Sequence, residues 1–306
     1  MDKPLRELSQ EEIDAFRHDG VVCVRQIMPE KWVERMAKAI DEVTANPTAY
    51  GDMVSKRDDG FSGDVFLWQT EDDFRDFVFD SPAALIAQQI LGQERINFFY
   101  DQLFVKEPGC HVATPWHQDV TFWPVSGKDV CSMWMPLDPV DRESSGLEFV
   151  PGSQNWSERY KATTPDFNAY MLESDYLDTP DIEVKREDFE LLGWDMEPGD
   201  VLLFDGLVLH GSTGNYTTDR PRRAFASRFV GADVRFAPRH PSMPLFWDHG
   251  LEPGDRLAGP LFPQVLPTVD PACKRATGGS EAQDPDIASK VMSGVAQYMK
   301  ERAGMN

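Results

Sequence analysis

A chain of 306 residues, 41% hydrophobic and 11% aromatic, can bury a large core, and no stretch of it approaches the ~20 apolar residues of a membrane-spanning helix. Its 30 Lys and Arg against 52 Asp and Glu leave a net charge of −22, a surface that repels nucleic acid and anionic membranes and disfavours a polyanionic substrate such as a coenzyme A thioester. The four cysteines, Cys23, Cys110, Cys131 and Cys273, form no C-x-x-C pair and the N-terminus has no apolar run, so the expectation is a reduced, cytoplasmic protein without a cysteine zinc site or signal peptide.

Residues 1–94 are predicted to be mostly helical. Ser9-Gln-Glu-Glu12 is a capping box, Ile13 and Phe16 supply apolar positions behind it, and Gly20 ends the helix. Val21-Val-Cys-Val24 reads as a short strand. Pro29 opens a longer helix with Trp32, Val33, Met36, Ala37, Ile40 and Val43 along one face. Residues 46–64 carry Pro, Gly and Asp and read as a loop. Ser81-Pro82 is an N-cap with proline at the first helical position, and Gly92 closes that helix. From Arg95 onward aromatic and branched residues dominate. Strands are predicted at 96–105, 130–137, 147–150, 201–204 and 223–230, separated by turn signals such as Glu107-Pro-Gly, Ser144-Ser-Gly and Glu197-Pro-Gly-Asp200. No helix of crossover length separates the early strands, so antiparallel pairing is expected. The polar, acidic segment 157–195 reads as an insertion over one end of a barrel, 238–280 as irregular, and 283–303 as a C-terminal helix. The sequons at Asn155 and Asn215 are taken as chance matches. All of 1–306 is read as one domain: a mostly helical part to 94, a strand-rich core at 95–232 and a C-terminal loop and helix at 233–306.

Chemistry concentrates in Thr114-Pro-Trp-His-Gln-Asp119 and Asp205-Gly-Leu-Val-Leu-His-Gly-Ser212. On an extended chain His117 and Asp119 leave the same face. With His210 they can supply two imidazoles and one carboxylate, the facial triad that holds non-haem Fe(II) and leaves positions open. Gly211 permits close backbone approach, and Ser212 follows two residues after His210. A dozen residues past His210 comes Arg220-Pro-Arg-Arg223, whose guanidinium forks suit a carboxylate. A keto acid chelated at one end and clamped at the other, as 2-oxoglutarate is, needs this set. Taken singly, each feature has a plain structural alternative: a satisfied His–Asp pair, a strand-end histidine, a solvated arginine face.

The ordered combination of Lys106-Glu-Pro-Gly, Pro115-Trp-His-Gln-Asp119, Ser145-Gly-Leu-Glu-Phe-Val-Pro-Gly-Ser153 and His210-Gly-Ser212 with Arg222-Arg-Ala resembles the phytanoyl-CoA dioxygenase family of Fe(II)/2-oxoglutarate oxygenases, over roughly residues 8–232. The resemblance implies a mainly β fold, a double-stranded β-helix (a cupin-like jelly roll) with flanking helices. It implies a hydroxylase of a small organic molecule using Fe(II), 2-oxoglutarate and O2. Iron then falls on His117, Asp119 and His210, which are also the catalytic set. The 2-oxoglutarate clamp falls on Arg222, assisted by Ser212, although one extra residue separates His210 from that arginine. Gln102 and Trp134 match positions lining the cosubstrate pocket, and Thr114 and Gln118 are further candidates. Related halogenases carry a small residue where this chain keeps Asp119, so an oxygenated product is implied. Phe66, Trp68, Phe98, Tyr100, Trp116 and Phe122 suggest a partly aromatic pocket. Arg228, in phase with Arg222, suits a substrate carboxylate or a buried ion pair. The alternatives are a non-catalytic metal-binding protein on the same scaffold and a cupin-type enzyme that does not use 2-oxoglutarate. The expected partner is a small-molecule substrate, with no nucleic acid and no membrane. Oligomeric state is not legible.

Overall fold

Alternation along the strands builds the molecule. The computed structural model describes residues 1–48, 50–52, 59–161, 176–239, 242–243, 245, 247 and 249–268. Its strands are β1 (Val21–Val24), β2 (Phe61–Val65), β3 (Ile96–Lys106), β4 (Thr114–His117), β5 (Val125–Ser126), β6 (Val130–Pro136), β7 (Leu147–Phe149), β8 (Leu192–Gly193), β9 (Val201–Asp205), β10 (His210–Ser212), β11 (Arg222–Val230), β12 (Arg235–Phe236) and β13 (Gln264–Leu266). The larger sheet runs β1-β9-β6-β11-β3-β13, with β2 also on β3, and the smaller runs β4-β10-β7-β8. All strand pairs within these sheets are antiparallel, as the short connections require. The inner faces meet directly: Phe149 of β7 lies 5.2 Å from Phe204 of β9, ring centre to ring centre. This is the expected double-stranded β-helix.

The outer face of the larger sheet is covered by helices α1 (Gln10–Asp19), α2 (Glu30–Ala45), α3 (Asp72–Asp80) and α4 (Ala83–Leu91). The capping box forms as the sequence requires: Ser9 Oγ accepts from Glu12 N, and Glu12 Oε2 accepts from Ser9 N. Gly20 (φ 79°) ends α1 in the left-handed region. In α2 the fully apolar stripe includes Ala39 in place of the expected Ala37, which is only partly buried. Helix α3 was not predicted. It exists because Phe74, Phe77 and Val78, at helical spacing, reach the sheet, where Phe74 and Phe77 meet Phe225 edge-on at 5.5 and 5.0 Å. Pro82 takes the N-cap position of α4, one residue later than expected, Ser81 Oγ accepts from Ala83 N at 3.2 Å, and Gly92 (φ 64°) closes the helix.

Two loop expectations are corrected. The end of the 46–64 segment is strand, because Phe61–Val65 pairs with β3. Within the Pro- and Gly-rich C-terminal stretch, Gln264–Leu266 also pairs with β3. The described part of 157–195 includes β8 and packs Ile182, Phe189 and Leu191 against Trp116 and Leu209, on the outside of the smaller sheet. The helix expected at 283–303 lies outside the described residues. No helix among the described residues is long and apolar enough to cross a membrane, and Cys23, Cys110 and Cys131 are free thiols.

Strand β11 sets the site. Phe225 and Phe229, at most 1% exposed, point to the helices, each contributing about 2–3 kcal/mol of burial. The opposite phase, Arg222, Ala224, Ala226 and Arg228, therefore points into the barrel. A register shift opposite Arg228 and Phe229 inserts Phe99 as an extra residue in β3, so that both Phe99 and Tyr100 join the interior aromatic cluster.

Candidate metal centre

His117 ends β4 and stands opposite His210, the first residue of β10. Gly211 allows this approach: a Cβ there would lie 3.0 Å from Thr114 O and 3.2 Å from Trp116 Cδ2. Asp119 is not in the strand, since it begins a short 3₁₀ turn, but Gln118 is extended (φ −110°, ψ 124°) and alternation carries through it. Asp119 Oδ1 thus lies 3.5 Å from His117 Nε2 and 3.8 Å from His210 Nε2. One ligand atom from each residue falls within 4.8 Å of the others. Each imidazole is held from behind. His117 Nδ1 lies 2.7 Å from Pro115 O and His210 Nδ1 3.0 Å from Val208 O, so the assigned tautomer carries the proton on Nδ1 and turns the Nε2 lone pair to the cluster. Asp119 Oδ2 accepts from Ser132 Oγ at 2.9 Å.

Electrostatics suit a divalent cation. Burial alone would raise the Asp119 carboxyl, but hydrogen bonding to His117 and the charges of Arg228, His210 and His117 hold it below its ordinary range. Burial, then the neighbouring His117, push His210 down to about 4, so it is a neutral ligand near pH 7.

Beside this cluster lie two buried cations. Arg222 pairs in register with Lys106 of β3. Lys106 is 1% exposed and Arg222 2%. Lys106 Nζ donates to Thr213 O (2.8 Å), Ser145 Oγ (2.9 Å), Ser212 Oγ (3.1 Å) and Thr114 Oγ1 (3.3 Å). Arg222 donates to Ser145 Oγ at 3.2 Å, and its Nε has no partner. Neither cation makes an ion pair among the described residues. Burial, reinforced by Arg222, holds the Lys106 ammonium well below its ordinary value, and burial lowers Arg222 to about 10. Buried cations without an ion pair are costly, so the two favour an anion beside them. Ser145 sits in the left-handed region (φ 73°), a strained position for a serine, with its hydroxyl between the two cations.

Of the neighbouring arginines, Arg223 points outward to Asp138 and Asp41, and Arg220 pairs with Asp141. The Trp134 ring lies 6.0 Å from the Arg222 guanidinium, and Gln102 stands opposite Ala226. The Gln118 amide donates to Leu207 O and accepts from Tyr160 N, bracing the outer loop. Lys106 and Ser145 carried no predicted role, although both lie in the motifs that first suggested the family. The expected aromatics divide. Phe66, Tyr100 and Phe122 gather with Trp123 and Trp247 in the barrel, Trp68 and Phe98 belong to the helix-side core, and Trp116 packs outside the smaller sheet.

Two imidazoles and one carboxylate gathered at the smaller sheet, with two buried cations reaching toward them from β3 and β11 of the larger sheet, suit a mononuclear non-haem iron oxygenase that takes a keto-acid cosubstrate. The family model Phytanoyl-CoA dioxygenase (PhyH) matches residues 16–224, well over half of the sequence, and the chain belongs to that family. It is an Fe(II)- and 2-oxoglutarate-dependent dioxygenase.

Relatives widen the chemistry. The chain is 22% identical over 256 residues to Dioxygenase FrzG of Cladobotryum sp, covering 74% of this chain and 76% of that one. A shorter match, 35% identical over 106 residues, covers 35% of this chain and 36% of 1-deoxypentalenic acid 11-beta-hydroxylase from Streptomyces arenae. The solved structure of the epimerase SnoN in complex with Fe3+, alpha ketoglutarate and nogalamycin RO shares the fold, with a TM-score of 0.65 at 18% identity over 84% of this chain and 98% of that one.

Proposed function

We propose that this dioxygenase hydroxylates a small organic molecule, coupling turnover to decarboxylation of 2-oxoglutarate to succinate and CO2. The carrying observation is the Lys106–Arg222 pair, buried beside the triad with no described carboxylate partner. In this reading His117, Asp119 and His210 hold iron. Arg222 and Lys106 receive the distal carboxylate of 2-oxoglutarate, oriented by Ser212, Ser145 and Thr114. Trp134 and Gln102 border the carbon chain between. Bound iron and 2-oxoglutarate together supply the oxidant that attacks a substrate C–H bond. The chain's own part is to fix the cosubstrate at both ends and to keep water from the reacting atoms with the aromatic cluster.

Asp119 supports hydroxylation over halogenation, because its carboxylate takes the position and the charge that a halide ligand needs. The Streptomyces relative is named a hydroxylase, which agrees, while the shared fold also serves an epimerase. The test has two steps. Under anaerobic conditions, Fe(II) and 2-oxoglutarate should give a visible charge-transfer band that a metabolite library perturbs. With a hit and 18O2, the product should gain one labelled oxygen per succinate formed. An epimerised, desaturated or chlorinated product without label would replace hydroxylation by another outcome.

A further inference from the structure

Arg228 remains unexplained by iron and 2-oxoglutarate. It lies six residues past Arg222 on the same inward phase of β11 and is 3% exposed. The guanidinium carbon stands 4.3 Å from the Tyr100 ring centre and 5.9 Å from that of Trp123. Those rings are themselves fixed. Trp123 Nε1 donates to Tyr100 Oη at 2.8 Å, and Tyr100 stacks on Phe66, which meets Trp247. The guanidinium face is thus clamped, while Nε and Nη1 have no hydrogen-bond partner. Asp119 Oδ2 is 3.9 Å from Nε, beyond hydrogen-bond range, and already accepts from Ser132. Asp101, the other acid whose charge reaches Arg228, accepts from Leu67 N (2.6 Å) and Trp68 N (2.9 Å), and burial pushes its carboxyl up to about 7.

A rigid, buried guanidinium whose one anionic neighbour, Asp119, stands too far off to take a hydrogen bond, and whose Nε and Nη1 are left unbonded, marks the place of a ligand oxyanion. We propose that Arg228 is a second carboxylate receptor, on the far side of Asp119 from the two histidines, and that the primary substrate is an organic acid whose apolar body lies against Phe66, Tyr100, Phe122 and Trp247. This rests on the reading of the triad and the Lys106–Arg222 pocket given above. That reading already accounts for both ends of 2-oxoglutarate, its far carboxylate at Arg222 and its keto-acid end at the metal. The substrate's acid group is therefore the favoured source of the carboxylate. The 1-carboxylate of 2-oxoglutarate has the same chemistry and is separated from it by the test.

The probes are benzoate and its uncharged twin benzamide, titrated anaerobically into the wild-type Fe(II)·2-oxoglutarate complex while the charge-transfer band is followed. The expected result is benzoate binding at least tenfold tighter than benzamide. R228Q should abolish that preference, and R228K should restore part of it, with 2-oxoglutarate affinity changed less than twofold in both. If R228Q instead weakens 2-oxoglutarate at least tenfold and shifts its band, the carboxylate held is that of the cosubstrate, and the assignment of an organic-acid substrate is overturned. Equal affinity for the two probes in wild type, together with unchanged 2-oxoglutarate binding in R228Q, overturns the proposal. So does a loss confined to Fe(II) affinity, which would make Arg228 a positioning residue for Asp119. The wild-type comparison needs no variant to fold. A wild-type protein that gives no band with Fe(II) and 2-oxoglutarate sinks the underlying reading first.

Discussion

Replacing Lys106 with Met keeps the length of the side chain and removes its charge. In the free enzyme the change deletes donors to Ser145, Ser212, Thr114 and Thr213 O, but it also removes a buried cation next to Arg222. These effects oppose each other, so the melting temperature should move little. Binding of 2-oxoglutarate should not be spared. Truncating one partner of a buried charge pair costs about 2–5 kcal/mol, which is about 30-fold to about 4,000-fold in Kd, and Arg222 keeps the loss near the lower end. Linkage adds a second signature. Burial and Arg222 depress the lysine in the free enzyme, so its charged form is disfavoured there relative to a free lysine. An arriving dianion favours the protonated form, and binding takes up a proton. Affinity in the wild type should therefore weaken as pH rises through the depressed value. K106M should lose that slope, and K106R should bind tightly without it, because arginine stays charged. Anaerobic titration of the Fe(II) complex between about pH 6 and about pH 9 reads both. K106M binding 2-oxoglutarate within threefold of wild type, with the slope intact, would refute the argument.

Three further outcomes follow from the same geometry. R222A should raise the 2-oxoglutarate Kd at least 30-fold with Fe(II) binding retained, whereas R223A, which loses Asp138 and Asp41, should lower the melting temperature by a few degrees and leave that Kd unchanged; the reverse pattern, read by titration and calorimetry, moves the clamp by one residue. S132A frees Asp119 Oδ2 and should weaken Fe(II) binding by about 10- to 100-fold in a chelator competition, without altering the aromatic cluster. In excess chloride the wild-type enzyme should yield only oxygenated product by mass spectrometry, since a chlorinated species would deny Asp119 its place on the metal.

The triad was legible because a period of two and a strand-end His-Gly-Ser are local signals. The same period sets the direction of Gln118. The residue between two same-face ligands must point away from them, and it does, toward Leu207 and Tyr160. Lys106 was a different case. At the end of a strand, before Glu107-Pro-Gly, a lysine reads as solvated, and only the register of β3 on β11 sets it against Arg222. Helix α3 and strand β13 were hidden for related reasons. Each is short, and each is stabilised by a surface it meets from far along the chain: Phe225 for α3, and β3 for β13.

The helices matter to chemistry they never touch. Along β11 the inward phase reads Arg222, Ala224, Ala226, Arg228, and the outward phase begins Arg223, Phe225. Two alanines leave space between two arginines whose Cα atoms stand about 20 Å apart, at ~3.3 Å per residue. A slip of one residue would turn Phe225 toward the metal and carry both cations out of the barrel. What forbids the slip is the seating of Phe225 and Phe229 on the helix side, against Phe74, Phe77 and Phe98. A protein of net charge −22 thus holds Lys106, Arg222 and Arg228 buried along β3 and β11. It does so because apolar packing on one face of a strand decides where the cations on the other face point.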